Sequence, residues 1–233
     1  MKAVILAGGK GSRLGSLTKS IPKPMVKIGG KPIIWHILKI LSQNGIKEFI
    51  ICLGYKGNIL RNYLSKLKEN WKIDCVNTGQ STLTGRRIYL IRKKIKENYF
   101  LMTYGDGLSN INVKKLIKFH LKKKRDVTVT VVPPIPRFGS LKLKKEIVTA
   151  FDEKILKTDY LINGGFFIMN KKIFSKLDLS PNVMWEQNPM KKLTKRKNMA
   201  GYRHRGFWYC MDTERDTEYL NQLWRKGAPW KIW

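Results

Sequence analysis

The stretch Lys2-Ala3-Val4-Ile5-Leu6-Ala7-Gly8-Gly9-Lys10-Gly11-Ser12-Arg13-Leu14 decides how this chain is read. Residues 3–7 are all apolar, without polar alternation, which is the pattern of a strand covered on both faces, as in a parallel sheet flanked by helices. The run ends at Gly8-Gly9, with a further glycine at Gly11. The strand therefore delivers a loop whose backbone can approach a ligand closely and turn N–H groups toward an anion. Its spacing matches neither GxGxxG nor GxxxxGK[ST], and a glycine loop alone serves equally well as a strand-to-helix turn. Arg13 favours the anion reading, because a guanidinium can grip phosphate oxygens through two parallel hydrogen bonds.

Outward from that strand, apolar residues at helical spacing predict a helix over 31–44, with Pro32 near its start and Gly45 after its end. Strands are predicted over 49–53, 73–76, 99–104 and 127–132, the last β-branched at every position before Pro133-Pro134. Helices are predicted over 59–67 and 113–124. This alternation predicts an α/β fold with a mostly parallel, Rossmann-like sheet and covering helices. Short strands follow over 140–143, 147–151 and 165–169, then helices over 185–196 and 214–226. No repeat or Pro/Ser linker divides the chain. The expectation is one domain over 1–233, with a first half over about 1–133 and a second half over about 134–233 that builds the substrate side.

At 233 residues and 42% hydrophobic, the chain can bury a sizeable core. It has no apolar run of membrane-spanning length and no signal-peptide core, so a cytoplasmic protein without a membrane partner is expected. Cys52, Cys75 and Cys210 lack metal-ligand spacing and read as packing residues, and His36, His120 and His204 are equally scattered. Against 47 Lys and Arg stand only 16 Asp and Glu, a formal charge of +31. Such a field attracts polyanions. The basic residues are nevertheless spread through every segment, which reads as lysine enrichment rather than a dedicated nucleic-acid site.

Two further patterns carry chemistry. In Ile21-Pro22-Lys23-Pro24-Met25 a lysine stands between prolines, so its backbone is stiff and its ammonium is aimed. Asp106 in Tyr104-Gly105-Asp106-Gly107 ends an apolar strand, and Asp212 in Met211-Asp212-Thr213 precedes the last helix. Alone, each aspartate reads as a turn or cap residue.

Taken together, residues 7–14 and Pro22-Lys23-Pro24-Met25 resemble the N-terminal signature of the sugar nucleotidyltransferases. Gly29-Gly30-Lys31-Pro32, Gly54-Tyr55-Lys56-Gly57, Thr103-Tyr104-Gly105-Asp106-Gly107, Asn163-Gly164-Gly165-Phe166-Phe167, Gly206-Phe207-Trp208 and Gly227-Ala228-Pro229-Trp230 narrow the resemblance to the glucose-1-phosphate cytidylyltransferase branch. The resemblance implies transfer of a nucleotidyl group from CTP to glucose 1-phosphate or a related sugar 1-phosphate. It implies Mg2+ on Asp106 and Asp212, direct in-line attack without a covalent enzyme intermediate, and a homo-oligomer. Arg13 and Lys23 would be catalytic. The nucleotide would meet Leu6, Ala7, Gly8, Gly9, Gly11, Ser12, Arg13 and Lys23, with Thr78, Gly79, Thr84, Gly85 and Arg86 on the base side. The sugar phosphate would meet Tyr104, Glu153, Lys154, Asn163, Gly164 and Glu186. Arg86 and Ile155 stand where the family pattern has glycine and proline, and the stretch 67–74 is shorter than in that branch. A uridylyl- or thymidylyltransferase on the same fold, or a non-catalytic polyanion-binding protein, are the alternative readings.

Overall fold

Strand β1 (Ala3–Ala7) forms as expected, with all five residues buried. Its alternate side chains feed two cores. Ala3, Ile5 and Ala7 pack on one face of the sheet with Ile33, Ile37 and Phe49, while Val4 and Leu6 pack on the other with Ile88, Phe100, Phe167 and Trp185. This two-sided burial is why the strand reads as an unbroken apolar run. The computed structural model describes residues 1–135, 140–152 and 160–233.

Around β1 the sheet is completed by β2 (Glu48–Leu53), β3 (Lys72–Asn77), β4 (Tyr99–Tyr104), β5 (Val127–Val132), β6 (Ile162–Asn170) and β7 (Met199–Arg203). The spatial order is β7-β5-β6-β4-β1-β2-β3. β1 is parallel to β2 and β4, β2 to β3, and β5 to β7, while β6 runs antiparallel to both of its neighbours. The sheet is thus mostly parallel, as predicted; of the strands from residue 127 onward, β5, β6 and β7 extend it, while Ser140–Lys144 and Ile147–Asp152 pair with each other as a separate antiparallel ribbon. β1 is also where the order reverses: β2 and β3 build outward on one side, and the chain then returns to lay β4 on the other. Diverging connections of this kind leave a crevice beyond the C-terminal ends of the two central strands.

The covering helices are α1 (Ile33–Gln43), α2 (Gly57–Ser65), α3 (Thr84–Leu90), α4 (Val113–Lys123), α5 (Asn188–Lys195) and α6 (Glu214–Arg225). Two depart from the predicted bounds for local reasons. Lys31–Pro32 pairs with Lys27–Ile28 as a two-residue ribbon, so α1 starts later than residue 31. α5 starts at Asn188 rather than near Trp185, because Pro189 suits a first turn and not a helix interior. Helix α3, strand β7 and the short antiparallel pair Gly107–Ser109 with Trp208–Cys210 were not predicted. Each is too short or too polar to show a period.

The histidines are structural. His36 Nε2 bonds the Ile28 carbonyl at 2.8 Å, His120 bonds Thr128 and Asn170, and His204 bonds Ser109 and the Phe207 carbonyl. Burial lowers the pKa of His36 and of His120. Trp230 is fully buried, and it and the half-buried Trp224 and Trp233 pack their rings about His36, so the aromatic C-terminal segment belongs to the core. Among the described residues, no helix is long and apolar enough to cross a membrane.

Phe167 of β6 is fully buried and packs edge-on against both Tyr104 and Trp185. Phe167→Ala is expected to cost about 3–5 kcal/mol, read as a lower urea midpoint with an unchanged slope; a loss below about 1 kcal/mol would mean that the second core is loosely packed.

Candidate active site

The crevice at the reversal of strand order is a cavity of about 460 Å3. Its lining includes Leu6, Ala7, Gly8, Gly9, Gly11, Ser12, Arg13, Lys23, Thr84, Tyr104, Asp106 and Asp212, so twelve of the predicted positions converge there. Leu6 pairs with Tyr104 in the register of β1 and β4, and the Gly105 N–H donates to the Leu6 carbonyl at 3.1 Å. The glycine loop and the Asp106 loop are therefore adjacent exits of neighbouring strands. Gly11 has φ 68°, a left-handed conformation that glycine adopts without strain. Among the described residues, the N–H groups of Gly9, Lys10, Gly11, Ser12 and Arg13 donate to no backbone carbonyl. Consecutive N–H groups of this kind form an anion-binding concavity.

Beneath the loop lies a cation that the sequence did not reveal. Arg87 on α3 is 3% exposed, and its guanidinium donates to the carbonyls of Leu53 and Gly8 at 3.0 and 3.1 Å and to the Thr78 hydroxyl. Burial lowers its pKa, yet an arginine stays protonated. All its partners here are neutral oxygens, so its charge acts on the loop above. The fit is close: a Cβ on Gly8 would stand 2.2 Å from Arg87 Nη1. Arg86, the neighbour singled out from the sequence, instead donates to the Ser180 carbonyl and lies over the Tyr89 ring, away from the cavity. A helix period through 84–90 would have distinguished the two arginines, but four consecutive polar or small residues at its start hide that period.

Across the crevice, Lys23 Nζ donates to Asp106 Oδ2 at 2.6 Å and to Asp212 Oδ1 at 2.8 Å. Arg13 Nη1 meets Asp212 Oδ2 at 2.8 Å. The lysine is mounted on a tight turn, Lys23–Met25, closed by Met25 N–H to Pro22 carbonyl at 2.8 Å, with Pro24 buried. Burial pulls the Lys23 pKa down, but Asp106 and the hydrogen bonds to both aspartates outweigh it, and the net shift is upward. The group is a permanent cation. The aspartates are brought together by the Gly107–Ser109 and Trp208–Cys210 ribbon and by the Met211 N–H donating to the Asp106 carbonyl at 2.9 Å. Asp212 is then fixed by the cap of α6. Asp216 Oδ2 accepts from the N–H groups of Asp212 and Thr213 and from the Thr213 hydroxyl, and Asp216 Oδ1 accepts from the Tyr209 hydroxyl.

Cys210 belongs to this centre rather than to the packing that its isolation in sequence suggested. Its Sγ and one carboxylate oxygen each from Asp106 and Asp212 lie within 4.8 Å of one another. Burial, then Asp106, pushes the thiol up from its ordinary range, so it stays protonated. The paired carboxylates are hard oxygen donors, which suits a hard divalent cation.

On the far wall, Tyr104 donates to Glu186 Oε1, and the Thr84 hydroxyl donates to Glu186 Oε2 at 2.6 Å while accepting the Trp185 N–H. Burial, reinforced by Glu186, raises the Tyr104 pKa, so the phenol remains a donor. Asn163 caps the Gly165 N–H and Gly164 accepts the Trp208 indole N–H, which places both behind this wall rather than on it. Thr78 is buried under Arg87, Gly85 packs against Val183, and Gly79 lines a neighbouring cavity of about 400 Å3 that has no carboxylate in its lining. Glu153 and Lys154 lie outside the described residues.

Removing the side chain that holds Asp212 should be measurable directly. Asp216→Ala is expected to cost about 1–2 kcal/mol in urea denaturation through loss of the helix cap, with Asp216→Asn, which keeps one acceptor oxygen, recovering part of it. Equal losses in the two variants would show that charge rather than hydrogen bonding fixes this turn.

Comparison with known proteins agrees with this geometry. A family model described as "Nucleotidyl transferase" matches residues 2–225. Proteins named glucose-1-phosphate cytidylyltransferase from Salmonella typhimurium and Salmonella typhi are each 42% identical over 257 residues, covering 100% of this chain and 100% of theirs. The crystal structure of HddC from Yersinia pseudotuberculosis complexed with GMP-PN superposes with a TM-score of 0.77 at 27% identity, over 96% of this chain and 99% of that one. The strand order, the loop after β1 and the match along nearly the whole length lead to one conclusion: the chain belongs to the nucleotidyl transferase family.

Proposed function

We propose that the protein transfers a cytidylyl group from CTP to glucose 1-phosphate, giving CDP-glucose and pyrophosphate, in the cytoplasm. The observation that carries the reaction type is the convergence, in one crevice, of a loop of unengaged N–H groups, the Lys23 ammonium and the Asp106–Asp212 carboxylate pair. Full-length 42% identity to proteins named for the cytidylyl reaction supports the choice of base and sugar.

In this reading the 9–13 N–H groups and Arg13 hold the outer phosphates, and the buried Arg87 charge strengthens that hold from below. Lys23 stabilises the charge that builds on the α-phosphate. Mg2+ held by Asp106 and Asp212 would supply charge neutralisation at the triphosphate. An oxygen of the sugar phosphate forms a bond to the α-phosphorus as the bond to the β-phosphate oxygen breaks, and pyrophosphate leaves with that electron pair. No proton need be removed, so the residues of the site position and stabilise rather than act as a base. Thr84 faces the base side of the crevice, with Thr78 and Gly85 supporting it from behind and Gly79 in the neighbouring cavity. Tyr104 and Glu186 face the sugar-phosphate side, with Asn163 and Gly164 supporting them from behind; Glu153 and Lys154, which lie outside the described residues, are assigned to the same side by the family resemblance. The domain divides accordingly, with 1–133 serving the nucleotide and 134–233 the sugar phosphate.

The test is pyrophosphate release from the purified protein with Mg2+ and glucose 1-phosphate, offering CTP, UTP, dTTP, ATP or GTP separately. Selective release with CTP is expected; release with another nucleotide moves the base assignment, and release with none rejects the activity. Asp106→Asn is expected to lower turnover at least about a hundredfold while the melting temperature stays near that of the unaltered protein. Near-normal turnover in that variant would remove Asp106 from the reaction.

A further inference from the structure

The position of Lys23 has a consequence for the order in which the site fills. Its side chain is 13% exposed and those of Asp106 and Asp212 are 23% and 15% exposed, so this ion pair is only weakly screened by solvent. Two carboxylates with oxygens inside 4.8 Å repel one another strongly unless a cation stands between them. Here that cation is the lysine. Asp212 is engaged on both oxygens, by Lys23 on Oδ1 and by Arg13 on Oδ2. The Arg13 contact is the weaker, since its side chain is 70% exposed.

A divalent cation seated between Asp106 Oδ2 and Asp212 Oδ1 would compete with the ammonium that bridges them. Its entry alone would also add two positive charges to a partly desolvated crevice that already holds Lys23, Arg13 and Arg87, the first two paired with Asp106 and Asp212. Entry together with a polyanionic triphosphate reverses the imbalance. It also offers the displaced ammonium a new partner close at hand, because the Lys23 stem already packs on the phosphate loop: a Cβ on Gly11 would lie 2.9 Å from Lys23 Cβ.

We infer that Lys23 is the resident counter-cation of the Asp106–Asp212 pair, so that a divalent metal is admitted only together with nucleotide and the lysine is thereby released onto the phosphates. The second half rests on the nucleotidyl-transfer reading; the first half does not. In a nucleotide-free titration of the full chain with Mn2+, followed by electron paramagnetic resonance of the free ion, Lys23→Met is expected to bind Mn2+ about tenfold or more tighter than the unaltered protein. Mn2+ should also raise the melting temperature of the variant and leave that of the unaltered protein in place. Lys23→Gln, equally uncharged, should behave alike and serves if the methionine variant does not fold. Adding Asp106→Asn to either variant should abolish the gain. Equal or weaker Mn2+ binding by both lysine variants overturns the inference, whichever nucleotide the protein uses. For the coupling to nucleotide, water-proton relaxation enhancement by protein-bound Mn2+ should appear in the unaltered protein only after CTP is added. Full enhancement with Mn2+ alone overturns that half.

Discussion

The lysine ammonium between Asp106 and Asp212 ties together three segments that lie far apart in the chain: the proline-flanked turn after residue 21, the exit of β4 and the turn before α6. Removing charges from water is costly, and pairs of this kind contribute little net stability compared with apolar packing. Its presence in a chain with two well-filled cores is therefore explained by chemistry rather than by folding. The surrounding structure is consistent with that view. Prolines stiffen the lysine's mount, a two-strand ribbon sets the separation of the aspartates, and a capping aspartate holds the last of them. Each device limits motion at the three charges, which is what a reaction driven by positioning requires.

Much of this was legible in the sequence, and for a local reason. The five-residue apolar run of β1, the glycines after it, the Pro-Lys-Pro turn and the strand-end Asp106 each carry their meaning within a few residues. The rest depends on contacts that no local pattern records. Arg87 looks like any solvated arginine until α3 turns it under Gly8, and its neighbour Arg86 stands out in sequence only because it replaces a glycine of the family pattern, not through its own geometry. Cys210 lacks a metal-ligand spacing, since its companions come from residues 106 and 212 through a strand pair of three residues each. Strand β7 was missed because Met199-Ala200-Gly201-Tyr202-Arg203 alternates weakly and gains its identity only from pairing with β5.

The two walls of the crevice are not independent. Thr84, on the helix that carries Arg87, donates to the same carboxylate that receives Tyr104 from β4, and the Gly85 N–H donates to the Val183 carbonyl. A shift of α3 to suit one base would thus move Glu186 and the phenol on the opposite wall. In the proposed reaction this links recognition of the base to recognition of the sugar through one shared carboxylate, a coupling of the kind that makes neighbouring substitutions non-additive.

The capping of Asp212 by Asp216 has a further consequence for how the protein is made. Synthesis proceeds from the N-terminus, so the glycine loop, Lys23 and Asp106 all emerge from the ribosome before the turn that carries Asp212. Until α6 is available to fix that turn, Lys23 has only one of its two carboxylate partners. The charge balance of the centre is completed only once the turn before α6 has been made, so a nascent chain can own most of its sheet and still lack a working reaction centre.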